Sequence, residues 1–166
     1  MALDYKHDPA PAKTGLQGEY IKSLRMIERL HRLLLDVIKD EFERLGRSDV
    51  NSVQALLLFN IGEAELTAGE LKSRGYYLGS NVSYNLKKLV DSGYIHHERC
   101  ESDRRSVRVR LTDKGREVSD VISKLYERQM NSLEQVGDIQ PEKLEPLNNT
   151  LMKLERFWAD QIRYRL

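Results

Sequence analysis

The stretch Asp103-Arg104-Arg105-Ser106-Val107-Arg108-Val109-Arg110-Leu111-Thr112-Asp113-Lys114-Gly115 decides the fold. Val107, Val109 and Leu111 alternate with Ser106, Arg108 and Arg110, the two-residue period of a strand with one face in a core and the other in water. Thr112 then has the position of a helix cap. Just upstream, Tyr94 to Cys100 is a second short strand-like run, and the polar Glu101-Ser102-Asp103-Arg104-Arg105 lies between the two. The pair reads as a β-hairpin with a charged tip.

Upstream of the hairpin the period changes from two to between three and four. Ser80 caps a helix carrying Val82, Leu86, Leu89 and Val90 on one side, and Gly93 stands where a helix-terminating glycine belongs. The opposite side presents Ser80, Asn81, Ser83, Tyr84, Lys87 and Lys88. Asn bonds both edges of an adenine, Ser and Tyr bond bases or phosphates, and lysines neutralise phosphates. One turn earlier, Thr67-Ala68-Gly69-Glu70 forms a capping box that starts another helix at Leu71, and Arg74 to Gly79 interrupts its period. Helix, turn, helix and basic hairpin together predict a winged helix-turn-helix lobe over 47–111. Charge agrees. Thr67 to Arg116 holds eleven basic and six acidic residues, a net +5, while the rest of a chain of net +1 carries −4. A basic middle between acidic flanks fits a polyanion partner.

The flanking sequence predicts helices long enough to need partners. Pro9, Pro11, Gly15 and Gly18 mark residues 1–18 as a flexible arm. From Tyr20 to Leu45, Ile21, Leu24, Ile27, His31, Leu34, Leu35, Ile38 and Phe42 recur on one stripe, closed by Gly46. Ser52 opens a short apolar helix that ends at Gly62. Thr112 begins a helix running to Gly137, and a last helix starts near Pro141 with Leu144, Leu147, Leu151, Leu154 and Trp158 in 3-4-3-4 steps, the spacing of a helix-packing seam. These stripes exceed what one small lobe covers, so 19–46 and 112–166 are expected to form a helical dimerisation lobe. The fold class is mostly α with a small β-hairpin wing.

Composition excludes other classes. The chain has 166 residues, 40% hydrophobic and 32% charged, enough for a core without disulfides, and it has a single cysteine, Cys100. Its longest apolar run, Ala55 to Phe59, is far too short to span a membrane, and residues 1–18 lack an apolar signal core, so a cytoplasmic protein is expected. No phosphate-binding glycine loop, nucleophile elbow or H-E-x-x-H motif occurs, so no enzyme, cofactor or catalytic residue is expected. His96, His97 and Cys100 are too few for a zinc site, because adjacent residues of a strand point to opposite faces, and no metal is expected.

The wing run, with its Asp-x-Arg tip, alternating strand and Leu-Thr-x-x-Gly end, resembles the wing signature of the MarR family of bacterial transcription regulators. Val82-Ser83 and Leu89 to Gly93 resemble that family's recognition helix, and the long first helix with two C-terminal helices resembles its dimerisation lobe, so the likeness runs from Glu19 to Leu166. Arg74-Gly75-Tyr76-Tyr77-Leu78 departs from the family's usual Leu-Gly-Leu turn, and Tyr84 stands where arginine is frequent. The resemblance implies a dimeric repressor that binds double-stranded DNA with an inverted repeat. It implies that Arg105 enters the minor groove, that Asp103 holds the wing in shape, and that Arg104 and Arg108 belong to the same contact surface. It also implies a small aromatic effector bound between the lobes, for which Tyr20, His31, Phe42 and Phe59 are candidates.

Two alternatives belong to other classes. One is a winged helix used for protein interaction, without salt-sensitive DNA binding. The other is a regulator that senses oxidants through Cys100, beside which Arg99 would favour the thiolate; a small side chain filling strand space explains the same residue.

Overall fold

The computed structural model describes residues 15–67, 70, 79–99, 107–137 and 139–164. In chain order these form α1 (Leu16–Arg44), α2 (Ser52–Ile61), β1 (Leu66–Thr67), α3 (Gly79–Asp91), β2 (Ile95–Arg99), β3 (Val107–Leu111), α4 (Asp113–Val136) and α5 (Pro141–Tyr164).

Helix α1 begins at Leu16, inside the stretch expected to be a flexible arm, and runs for 29 residues. It ends as its sequence predicts. Gly46 takes φ 66°, its N–H donates to the Glu43 carbonyl at 3.0 Å, and the Arg47 N–H reaches back to Phe42 at 2.8 Å, so the last carbonyls find donors as the chain turns away. Helix α2 is capped one residue earlier than expected: Asn51 and Gln54 bond each other's backbone N–H groups at 2.8 and 3.1 Å, and Ser52 is the first helical residue. Ala55 to Leu58 and Ile61 are all buried, which makes α2 the central helix. It packs most extensively against α4 and next against α1.

The expected hairpin is part of a three-stranded antiparallel sheet, in the order β1-β3-β2. Leu66 pairs with Val109 and Thr67 with Arg108, while Ile95 to Arg99 pair with Leu111 back to Val107. Strand β1 is two residues long, too short for alternation to reveal, yet Leu66 is buried. The Thr67–Glu70 capping box is present in both directions, at 2.6 and 3.1 Å; the helix expected from Leu71 lies outside the described residues.

Ile38 and Phe42 of α1, the apolar face of α2, Leu86 and Leu89 of α3, the sheet residues Ile95, Val109 and Leu111, and Val118, Ile122 and Leu125 of α4 close one core. Helix α5 stays outside it. None of its side chains is buried, and Leu144, Leu147 and Leu151 of the expected seam are exposed. Its Trp158 indole N–H donates to the Tyr20 hydroxyl at 3.1 Å, linking it to the start of α1.

Candidate nucleic-acid interface

Helix α3 reaches the surface because of how its far end is fastened. Gly93, with φ 77°, terminates it: the Gly93 N–H donates to Val90 at 3.0 Å and the Tyr94 N–H to Leu89 at 2.8 Å. Tyr94 then drops into the core at 1% exposure. The Leu-Thr-x-x-Gly run closes on this turn. The Thr112 hydroxyl donates to the Gly93 carbonyl at 2.7 Å and accepts from the Gly115 N–H at 3.1 Å, and the Thr112 N–H donates to the Tyr94 carbonyl at 3.0 Å. The Lys114 ammonium donates to the Ser92 carbonyl at 3.1 Å and lies 4.1 Å over the Tyr94 ring. A Cβ on Gly115 would stand 2.2 Å from the Tyr94 carbonyl oxygen, so only glycine allows α4 to approach so closely. The signature is thus a clamp between the end of α3 and the start of α4.

A second set of bonds reaches Tyr94 from the link that follows α1. Its hydroxyl donates to the Asp49 carboxylate, which also accepts from Arg47 at 3.0 and 3.3 Å, and Arg47 in turn lies 5.8 Å over the Phe42 ring. Bonding to Arg47, then to Tyr94, holds the Asp49 carboxyl well below the usual carboxylate range. Burial, reinforced by the carboxylate, pushes the Tyr94 phenol up to about 12. Farther along, Glu41 is buried between Arg44 (2.8 and 3.1 Å) and Arg128 of α4 (2.5 Å), and these bonds, that to Arg44 foremost, lower its pKa. Neither network was legible in the sequence. Asp49, Glu41 and Arg128 look like solvated charges there, and Tyr94 like the first residue of a strand.

On the outer side of α3, Ser83, Tyr84, Lys87 and Lys88 are exposed while Leu86 and Leu89 face the core, as the periodicity predicts. Tyr84 is 62% exposed, and the Lys88 ammonium stands 5.5 Å from its ring centre. Ser80 and Asn81 fall in the first turns of α3, their side chains outside the described set; Asp103, Arg104, Arg105 and Cys100 lie outside it altogether. Arg108 projects from the solvent face of β3 and pairs with Glu65 at 3.4 Å; Arg110 pairs with Glu98 at 3.3 Å, and Arg116 with Asp113 at 2.6 Å and Glu63 at 3.5 Å. Among the described residues, Arg108, Arg110 and Arg116 of the basic segment thus have carboxylate partners. Two of those, Glu63 and Glu65, precede the segment whose charge was counted.

The four effector candidates do not converge in one chain. Tyr20 and Phe42 are 22 residues apart on the same helix, which separates them by about 33 Å along its axis. Tyr20 is engaged with Trp158, His31 is exposed rather than on the buried stripe, Phe42 is closed into the core, and Phe59 is half-buried edge-on to Tyr126 with ring centres 5.1 Å apart. Among the described residues no three His, Cys, Asp or Glu side chains gather as metal ligands, and no helix is long and apolar enough to cross a membrane.

Comparison with known proteins adds the following. A family model described as MarR family matches residues 48–106. The exopolysaccharide II synthesis transcriptional activator ExpG of Rhizobium meliloti (strain 1021) is 40% identical over 148 residues, 87% of this chain and 74% of that protein. A solved MarR transcriptional regulator from Methanosarcina mazei Go1 superposes with a TM-score of 0.61 at 25% identity, covering 85% of this chain and 98% of its own. A mutant MarR from E. coli complexed with operator DNA gives 0.64 at 22% identity over 85% and 99% of the two chains, a likeness of fold.

Proposed function

Because the chain belongs to the MarR family and is a DNA-binding transcription regulator, we propose that it works as a homodimer whose two α3 helices read the halves of an inverted repeat in double-stranded DNA. One observation carries this reading: the exposed Tyr84, Lys87 and Lys88 face stands on a helix clamped from behind at Gly93 and Tyr94. A single short helix offers too few contacts for operator specificity, whereas two related by a two-fold axis reach half-sites about 34–36 Å apart.

The division of labour is a DNA-binding lobe of 47–111 on a dimerisation lobe of 19–46 and 112–166. Ser80, Asn81, Ser83 and Tyr84 meet base edges, Lys87 and Lys88 meet phosphates, Arg105 follows the minor groove with Arg104 and Arg108 beside it, and Asp103 steadies the tip. A small aromatic effector changes the spacing of the two heads; of its four candidate residues, half-buried Phe59 is placed nearest the junction of α2 with α4. The sign of regulation depends on where the operator lies relative to the promoter. Identity of 40% with an activator favours activation over the repression expected from the sequence. The protein acts in the cytoplasm, with no catalytic step.

Titrations on the protein's own upstream region and on a random duplex, at several salt concentrations, test the reading. Arg105→Ala is expected to weaken both complexes together and lower the salt slope by about one unit for each phosphate that a subunit no longer neutralises. Asn81→Ala or Tyr84→Ala is expected to cost about 1–3 kcal/mol on the operator for each base edge left unread, and much less on random DNA. Absence of salt-sensitive binding by the wild type would favour the protein-interaction alternative. Release by mild peroxide that disappears in Cys100→Ser would favour the redox one.

A further inference from the structure

We propose that Tyr94 is a positioning residue for DNA reading: its side chain fixes the recognition helix against the start of α4 and the link that follows α1, and so sets the half-site spacing that the dimer accepts. The proposal rests on α3 being the reading helix. Several bonds and packing interactions meet at this residue. Its N–H ends α3 on Leu89, its carbonyl takes the Thr112 N–H and lies against Gly115, its ring lies under Lys114, and its hydroxyl reaches Asp49. Thr112, Lys114 and Gly115 start α4, and Asp49 is held by Arg47, which follows the last turn of α1. A rotation of α4 therefore acts on the end of α3 through Tyr94 and through the Thr112–Gly93 and Lys114–Ser92 bonds beside it, whereas the tie to the link after α1 is made at the Tyr94 hydroxyl.

The geometry distinguishes the hydroxyl from the ring. The ring fills core volume and any large apolar residue would do the same, but the hydroxyl meets the Arg47–Asp49 pair and is tied to a carboxylate that is 39% exposed and belongs to the link after α1. A packing role alone does not call for a phenol, because burying a hydroxyl is costly unless it is bonded. Removing the bond leaves the core filled and frees α3 to pivot on its remaining tie to α4.

The test uses the full chain with Tyr94→Phe, Asp49→Ala and the double variant. Each is titrated on its operator, on operators with one base pair inserted or deleted between the half-sites, and on a random duplex, with the melting temperature recorded in parallel. The single variants are expected to lose about tenfold on the operator, equivalent to about 1.4 kcal/mol, with random DNA unchanged, and the penalty for altered spacing is expected to shrink. The double variant is expected to match Asp49→Ala in spacing selectivity, because both single variants remove the Tyr94–Asp49 bond and Asp49→Ala also removes the pair with Arg47. Asp49→Ala leaves the buried ring untouched, so it decides the matter if Tyr94→Phe folds poorly. Variants that bind all spacings with wild-type selectivity, or that lose equally on operator and random DNA, would overturn the proposal while leaving α3 as the reader. A wild type that did not prefer operator to random DNA would overturn the reading by α3, and this proposal with it.

Discussion

Tyr94 and Trp158 are both large aromatic residues whose polar atom finds a partner, yet one ends a completed structure and the other an open one. Around Tyr94, the sheet and helices α2, α3 and α4 bury their apolar faces within a single chain, down to 1% exposure at Tyr94 itself. Around Trp158, which is itself only half-buried, no side chain of α5 is fully buried, and leucines at 144, 147 and 151 keep more than a third of their surface in water. The reading lobe is thus specified by its own sequence, whereas an apolar seam on a 24-residue helix is stable in water only when something covers it. Under the dimer reading that cover is the second chain, so a change in the dimerisation lobe alters how two rigid heads are held and leaves each head intact.

The sharpest way to break the closed half is Gly115→Ala. Its Cβ would lie 2.2 Å from the Tyr94 carbonyl oxygen, a backbone atom that cannot step aside without unfastening α3 from α4. A destabilisation of about 3 kcal/mol or more is expected in urea unfolding, the range reached by severe packing defects. Gly137→Ala, whose Cβ would meet the Leu133 oxygen at 3.0 Å at an ordinary φ of −96°, serves as the control and is expected to cost far less. Equal destabilisation at the two sites would mean that the clamp is not a close approach.

The open half breaks differently. Leu147→Asp with Leu151→Asp is expected to raise the dimer dissociation constant about 100-fold, since interface burial of the 49% of Leu147 and 37% of Leu151 still in water, about 1 kcal/mol apiece, would be lost, and a charged carboxylate would have to be desolvated in place of each. Sedimentation measures this, and far-UV circular dichroism of the separated chains is expected to keep the winged lobe's melting transition. Dissociation that also melted the winged lobe would show that the two halves are not independent.

What could be read in advance follows the same division. Local rules sufficed for the periodic helices, for the ends at Gly46, Gly93 and Gly137, for the Thr67 and Thr112 caps, and for the alternation of β3, because each depends on residues within a few positions of one another. They failed where the deciding partner is remote in sequence: β1 against β3, Glu41 against Arg128, Asp49 against Tyr94. The site divides likewise. The exposed side of α3 followed from its period, but the carboxylates on Arg108 and Arg110 did not. A helical rise of about 1.5 Å per residue sets Tyr20 and Phe42 about 33 Å apart in one chain, a separation that residue type alone does not reveal.

Alkaline pH sharpens the contrast, because Tyr94 belongs to the closed half alone. Its phenol is raised from an ordinary value near 10 to about 12 by burial and by Asp49. A raised folded-state pKa means that this contribution is whole below pH 10 and is lost as pH rises from 10 towards 12, by about 2 kcal/mol. The stability advantage of the wild type over Tyr94→Phe is therefore expected to narrow across that window in urea titrations. Parallel curves would show that the phenol ionises equally easily in the folded and unfolded chain.

The smallest effect on stability is expected on the outer face of the winged lobe, where Glu65 pairs with Arg108 at 3.4 Å and both side chains are about half exposed. Such a pair contributes roughly 0.5 kcal/mol or less, because water and salt screen it. Glu65→Gln should therefore leave the unfolding midpoint nearly unchanged, in contrast to Gly115→Ala. Its effect on DNA is expected to be larger. One carboxylate would be removed from Arg108, and under the wing reading a negative charge would leave the face turned towards the duplex. Binding to random DNA is expected to tighten several-fold at low salt, with the salt slope steeper by up to about one unit per subunit if a further phosphate is neutralised. Unchanged affinity and slope would place Arg108 and its strand away from the duplex, and the wing would then touch DNA through its tip alone.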